Sequence, residues 1–313
     1  MFLVKEKSFY KLFFRLTFMI AMQNVVVFGV NLADNIMLGK YTEEALSGVA
    51  LVNQIQFLLQ MIVFGIGEGV GVLIARYWGK KDGVSIRRLV TIGLWLGALS
   101  SLILWGAMFF FSHPCLSLLS NDEAVLSEGI KYLKIVCFSY LFFAITNIIL
   151  ISLRNVEAAF VGFAVSVAAL VINVTLNYTL IYGNFGAPKL GVQGAAIATL
   201  IARIVETCIA VSYLIFFDKK IKYHIRNVFK IDFLLVKNYF KIGFPVLMSN
   251  MIWGIAMAIQ TSILGHMGSA AIAANSVATT LFQIVSVISF GMAGPSCTII
   301  GKTIGEGNEQ KVR

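Results

Sequence analysis

Eight long apolar stretches, set apart by short polar and mostly basic segments, dominate the pattern of the chain. They cover residues 13–38, 46–75, 89–111, 132–153, 159–182, 191–217, 242–264 and 271–300. Each reaches or exceeds the ~20 residues that a helix needs to cross a bilayer. They are apolar around the whole helix, whereas a helix that faces water keeps a polar side. The pattern predicts an all-α, polytopic membrane protein of about eight transmembrane helices. Stretches longer than the minimum are expected to tilt or to project beyond the lipid.

Composition agrees with this reading. Hydrophobic residues make up 58% of the 313 positions and charged residues 13%, against about a quarter charged in soluble domains; the mean hydropathy is +0.86. Lys5, Lys7 and Lys11 ahead of the first stretch resemble the start of a signal peptide. The apolar run that follows is too long for one and lacks a small-residue cleavage pattern, so it reads as the first spanning helix. Cys115, Cys137, Cys208 and Cys297 are scattered without CxxC spacing and imply neither a disulfide framework nor a metal site.

The basic residues are distributed asymmetrically. Twenty of the 25 Lys and Arg fall on one side: near both termini, at Arg76–Arg88, at Arg154 and in the segment 218–241. Lys40, Lys131, Lys134 and Lys189 fall on the other, and Arg203 lies inside a helix. The asymmetry predicts a multi-pass protein of the plasma (inner) membrane with both termini cytoplasmic. That topology accounts for the net charge of +10, so no nucleic-acid partner is required.

The segment 218–241, basic and amphipathic, suits the inner membrane surface. It divides the chain into a six-helix lobe (1–217) and a two-helix remainder (242–313). Residues 11–87 align without a gap with 237–313, at an offset of 226. Matches include Met22/Met248, Asn24/Asn250, Gly39/Gly265, Gly65/Gly291 and Gly79/Gly305. Six helices is an even number, so the two halves would cross the membrane in the same sense, as parallel transporter repeats do. The remainder is expected to be the start of an incomplete second lobe, in a protein truncated after helix 8 of about twelve.

Polar residues inside such spans are costly and mark cavities, pathways or helix contacts. On helix 1, Asn24, Asn31 and Asn35 form a stripe flanked by Gln23 and Asp34, within an arc of about 120°. Asp34 is read either as lining a polar cavity or as part of the turn to Lys40. Helix 2 carries Asn53, Gln56 and Gln60 on one face, with Glu68 at its edge as an inner-leaflet charge reaching towards Arg76. Ser166, Asn173 and Asn177 align on helix 5, and Thr199, Arg203 and Glu206 on helix 6. The amides could simply bond between helices, and Arg203 and Glu206 could simply pair. Gly65, Gly67, Gly69 and Gly71 lack the strand–turn–helix context of a nucleotide loop and suit close packing or a hinge. No set of residues supports an enzyme.

The ordered motifs resemble the multidrug and toxic compound extrusion (MATE) family. They are Asn31-Leu32-Ala33-Asp34-Asn35-Ile36-Met37-Leu38-Gly39, Ala75-Arg76-Tyr77-Trp78-Gly79-Lys80-Lys81-Asp82, Asn173-Val174-Thr175-Leu176-Asn177, the run from Gly191 to Thr199, and Gly243-Phe244-Pro245. The resemblance implies two six-helix lobes around a cavity that alternates between membrane faces. It implies a monomeric antiporter without cofactors, exporting small organic, often cationic, compounds in exchange for H+ or Na+. Asp34 matches the family's coupling aspartate, and Asn173 and Thr199 match its partners. Asn177 stands where some members carry an acid, which weakens a Na+ site, and Trp253 stands where some carry an acid in helix 7. The alternatives are a lipid-linked oligosaccharide flippase of the same superfamily, a membrane receptor or scaffold, and an inactive truncated fragment.

Overall fold

In lipid the backbone can bond only to itself, so apolar stretches of this length fold as helices. A computed structural model of the chain describes residues 7–120, 122–230, 232–267 and 291–307. The first half contains α1 (Lys7–Gly39), α2 (Glu43–Gly79), α3 (Gly83–Phe110), the short α4 (Ser112–Ser117), α5 (Glu123–Val136), α6 (Ser139–Asn155), α7 (Phe160–Tyr182) and α8 (Val192–Ser212). After a basic connection come α9 (Phe233–Met267) and a helical stretch over residues 291–305. Among the described residues six helices are long and apolar enough to cross a membrane, or seven if α5 and α6 form one span. Residues 271–290 of the expected eighth span lie outside the described residues.

Two expectations need correction. The span placed at 132–153 is two helices, α5 and α6, bent by 56°. Neither proline nor glycine marks the break. Instead Phe138 and Tyr140 donate to carbonyls three residues back, on Ile135 and Cys137, which tightens the backbone and turns it. The connection taken as 218–241 is also shorter, because α9 begins at Phe233. Asp232 caps it, accepting from the backbone N–H of Leu234 at 2.9 Å.

The sequence repeat has a counterpart in space. Shifting α1 by 226 residues puts its first residue, Lys7, on Phe233, where α9 begins. The same shift puts Gly79, the end of α2, on Gly305, the last helical residue of 291–305. Contacts between the two copies are reciprocal. A Cβ on Gly79 would collide with the Lys302 carbonyl, and one on Gly305 with the carbonyl of Arg76, the residue equivalent to Lys302. Gly65 lies against Leu247, while its equivalent Gly291 lies against Ala21, the equivalent of Leu247. When i touches j in one copy and the pair is exchanged in the other, a two-fold axis relates them.

The four alternating glycines of α2 serve two neighbours. A Cβ on Gly65 or Gly69 would meet α9, at 2.8 Å from the Leu247 Cα and 2.7 Å from the Gly243 Cα. On Gly67 or Gly71 it would meet α6, at 2.5 Å from Ile151 Cδ1 or 2.5 Å from Asn155 Nδ2. Small residues let helix backbones approach closely in a membrane, so α2 is the shared wall between the first lobe and α9.

The turn after α6 also grips the second copy. Asn155 Oδ1 accepts from Thr298 Oγ1 at 3.1 Å. Glu157 Oε1 accepts from Lys302 Nζ at 2.6 Å and from Trp78 Nε1 at 3.4 Å. Arg154 packs on Gly294. Residues 294, 298 and 302 are four apart and share one helix face. Lys220 completes the turn, donating to the carbonyls of Val156 at 2.7 Å and Glu157 at 3.0 Å. Burial lowers the Lys220 pKa, an effect opposed by Glu157 and Asp218. All these contacts lie at the end of the bundle that carries the basic loops.

Candidate functional site

Asp34 lies in the penultimate turn of α1, where Tyr182 of α7 holds the helix end by donating to the Met37 carbonyl at 2.8 Å. Asn177 and Asn173, one turn apart on α7, are buried at 0% and 2% exposure. Asn177 Nδ2 donates to Asp34 Oδ1 at 2.5 Å and to Asn173 Oδ1 at 3.0 Å. Asn173 Nδ2 then donates to Thr199 Oγ1 on α8 at 3.5 Å. The chain of bonds fixes both amide orientations, since a flipped Asn177 would turn its oxygen towards a carboxylate. It leaves Asn177 Oδ1 buried without a partner.

Two further groups join this row. Tyr132 of α5, 4% exposed, lies beside Thr199 and within electrostatic reach of Asp34 and Arg203. Arg203 of α8 pairs with Glu206 at 2.6 Å and lies over the Phe143 ring at 5.2 Å. One turn along α8 separates Thr199 from Arg203, so the polar row continues into the lobe. Sequence reading missed Tyr132 because it assigned residue 132 to the first turn of an unbroken span. The only available signal was a tyrosine on the amphipathic stretch 123–136.

The other candidates are placed less uniformly. Asn31 and Asn35 are exposed, whereas Asp34 and Asn24 are half-buried, so the stripe on α1 divides between faces. Gln23 follows Asp34 onto α7 and fills the space beside Gly162. On α2, Asn53 is exposed and Gln56 half-buried. Glu68 departs from expectation. Its partner is Asn250 of α9, which donates to Oε2 at 3.2 Å, rather than Arg76. Arg154 of α6 lies within its electrostatic reach. The glycines flanking Glu68 bring α6 and α9 close enough to supply these neighbours. Trp253 on α9 is half exposed.

A carboxylate with three neutral oxygens, from Asn173, Asn177 and Thr199, suits one hard, singly charged ion. It can take a proton, or hold a sodium-like cation through oxygen ligands. Asn177 contributes no charge, so Asp34 is the only acid in direct contact within the row.

Comparison with known proteins gives the same architecture. The MatE family model matches residues 20–179 and 245–313. A probable multidrug resistance protein NorM of Thermotoga maritima is 27% identical over 93% of this chain and 62% of its own length. Its namesake from Rhizobium meliloti is 26% identical over 89% of this chain and 60% of its own. The chain thus spans less than two thirds of these relatives. A solved multidrug resistance MATE family transporter in an outward-facing conformation superposes with a TM-score of 0.87, at 22% identity, over 96% of this chain and 66% of that one. With the repeat, the helix order and a family match over most of its length, the chain belongs to the MatE family.

Proposed function

We propose that the chain forms the larger part of a secondary antiporter that exports organic cations in exchange for H+ or Na+, with Asp34 as the coupling carboxylate. The observation that carries this reading is the hydrogen-bonded row Asp34–Asn177–Asn173–Thr199, which joins one carboxylate to neutral polar groups, with Arg203 within its electrostatic reach, inside a bundle that must lie in lipid. A charge so placed is costly unless it has work to do. Relatives named as multidrug resistance proteins support the class of cargo.

The positive-inside rule puts the basic end, and both termini, in the cytoplasm. The reciprocal glycine contacts then close the cytoplasmic side, while Asp34 lies in the outer half. A proton or sodium ion arriving from outside neutralises Asp34, changes what α1 can bond to on α7, and removes the negative charge that favours a cationic cargo. Release and ion uptake are linked because both compete for one carboxylate, and that competition biases the two states of the lobes.

The test is efflux of a fluorescent organic cation from vesicles under an imposed pH or sodium gradient. Asp34→Asn is expected to lower the gradient-driven rate by about tenfold or more, the factor that about 1.4 kcal/mol represents. Unchanged efflux with unchanged ion dependence would overturn the assignment.

A further inference from the structure

The connection between α8 and α9 is fastened more closely than a tether needs. Asp218 opens it, accepting from the backbone N–H groups of Ile221 at 2.6 Å and Lys222 at 3.1 Å. That turn sends Ile221 and Tyr223 inward, where both are buried. From there the chain follows α3. The Ile221 carbonyl accepts from Arg87 at 3.2 Å, the Asn227 carbonyl from Thr91 at 3.0 Å, and the Val228 carbonyl from the Trp95 indole at 2.8 Å. The chain then returns, and Asp232 pairs with Arg88.

These partners record depth. Trp95 is seven residues beyond Arg88, about 10 Å further along α3. The apolar stretch of α3 begins directly after Arg88. Arg88 therefore stands at the edge of the hydrocarbon and Trp95 inside it, in the belt where tryptophans gather. The connection dips from the basic end into the membrane and comes back out. Backbone carbonyls at that depth have no water to bond, and Thr91 and Trp95 supply side-chain donors for the two lowest. Interfacial segments bury their apolar side by about 5–10 Å, which matches this dip.

The returning limb presents a cleft of about 410 Å³ lined by Arg88, Phe229, Lys230, Asp232 and Phe233. Phe229 and Phe233 are 83% and 85% exposed, and Lys230 is exposed beside them. Asp232 is committed to Arg88 and to the Leu234 backbone N–H. Arg88 uses one of its two terminal nitrogens for that pair, and a guanidinium has five donors. The cleft is thus left with one net positive charge between two phenylalanines.

We propose that this cleft binds an anionic phospholipid of the leaflet at the basic end. The phosphate lies between Arg88 and Lys230, and the acyl chains run along Phe229 and Phe233 towards the level of Trp95. Charge complementarity selects this occupant. Lys219, Lys222, Arg226 and Lys237 are exposed on the same connection and the first turns of α9, and such clusters concentrate anionic headgroups. The bound lipid holds the connection at its depth, and so fixes the start of α9 against α3. The site is independent of which ion or cargo the antiporter carries.

The delipidated protein in detergent is titrated with dioleoylphosphatidylglycerol or with zwitterionic dioleoylphosphatidylethanolamine. Native mass spectrometry gives the dissociation constant of the first lipid bound. One basic residue near a membrane surface is worth about fivefold in affinity for an anionic lipid, so the wild type is expected to prefer phosphatidylglycerol by about that factor. Lys230→Gln is expected to abolish the preference and Lys230→Arg to keep it. Lys81→Gln, which removes an exposed charge from the same end outside the cleft, is expected to keep it as well. Equal affinity for both lipids in the wild type, or a preference that survives Lys230→Gln, overturns the site. A loss in Lys81→Gln as large as in Lys230→Gln also overturns it, because the basic end then acts as a diffuse field. If neither lipid binds, the exposed phenylalanines serve a protein contact instead, and the lipid site is overturned.

Discussion

Asn177 spends both amide hydrogens on Asp34 and Asn173 and keeps an unpaired, buried oxygen. An acid at this position would set two carboxylates side by side, and like charges at that distance are tolerated only with a proton or a cation between them. Asn177→Asp is therefore expected to strengthen sodium binding over that of the wild type. Sodium at about 100 times its dissociation constant would stabilise the variant by about 2.7 kcal/mol, seen as a rise in melting temperature that potassium does not reproduce. A second residue-scale prediction concerns Asp82, the N-cap of α3. The Ser85 hydroxyl, 2.6 Å away, is the main cause holding the Asp82 carboxyl below its usual value of 3.8; burial opposes it, and the Ser85 and Val84 backbone N–H groups assist. Its folded pKa is depressed, so its stabilisation is complete above pH 3.8 and is lost as pH falls through the lowered value. Asp82→Ala is expected to cost about 1 kcal/mol at neutral pH, and thermal unfolding should show the difference vanish in strong acid. Asp34, Asn173, Asn177 and Thr199 could be selected together from sequence through the resemblance to the MATE family; helical period aligned Asn173 with Asn177 but could not join the three helices. Tyr132 could not, since its approach depends on a bend that no proline or glycine announces.

Helix α2 illustrates what an element can carry in four glycines. Gly67 faces the flexible tip of Ile151, which can move aside, while Gly69 faces the Gly243 backbone, which cannot. Replacing glycine by alanine within a helix gains about 1 kcal/mol from propensity, and overpacking costs about 1–3 kcal/mol. Gly67→Ala is then expected to be close to neutral, and Gly69→Ala, at the upper end of that cost because backbone cannot yield, to destabilise by up to about 2 kcal/mol, the difference of those two effects. The loss should appear as α9 coming away from α2, so proteolysis within the connection 218–232 should speed up for Gly69→Ala alone. The sequence pattern announced close packing here, but not that alternate glycines serve different helices, α6 on one side and α9 on the other. That depends on where α9 docks, a long-range fact absent from local periodicity. The beginning of α9 was likewise placed late at residue 242, because Lys237 and Lys241 read as connection although they lie on exposed turns of the helix.

On the scale of the molecule, two copies of one helix pair meet about a two-fold axis, and the symmetry is broken where only one of them has a partner. The turn after α6 has no equivalent within the described residues. Through Asn155 and Glu157 it ties the first lobe to Thr298 and Lys302 of the second copy at the basic end. If the lobes alternate between two arrangements, these bonds belong to the one in which that end is closed, and they must break in the other. The ion pair between Glu157 and Lys302 is partly buried, with side chains 18% and 31% exposed, so removing one partner leaves a charge in poor surroundings. Spin labels at Val84 and Glu306, both exposed near this end, report the separation by pulsed electron resonance. Glu157→Gln and Lys302→Gln should each move population from the short distance to a longer one. The exchanged pair, Glu157→Lys with Lys302→Glu, should return it, since the attraction is restored with opposite sense. Coupling between groups of this kind is recovered only when the two residues act on each other. A distance distribution unchanged in both single variants would mean that the glycine contacts of Gly79 and Gly305 hold the end closed by themselves.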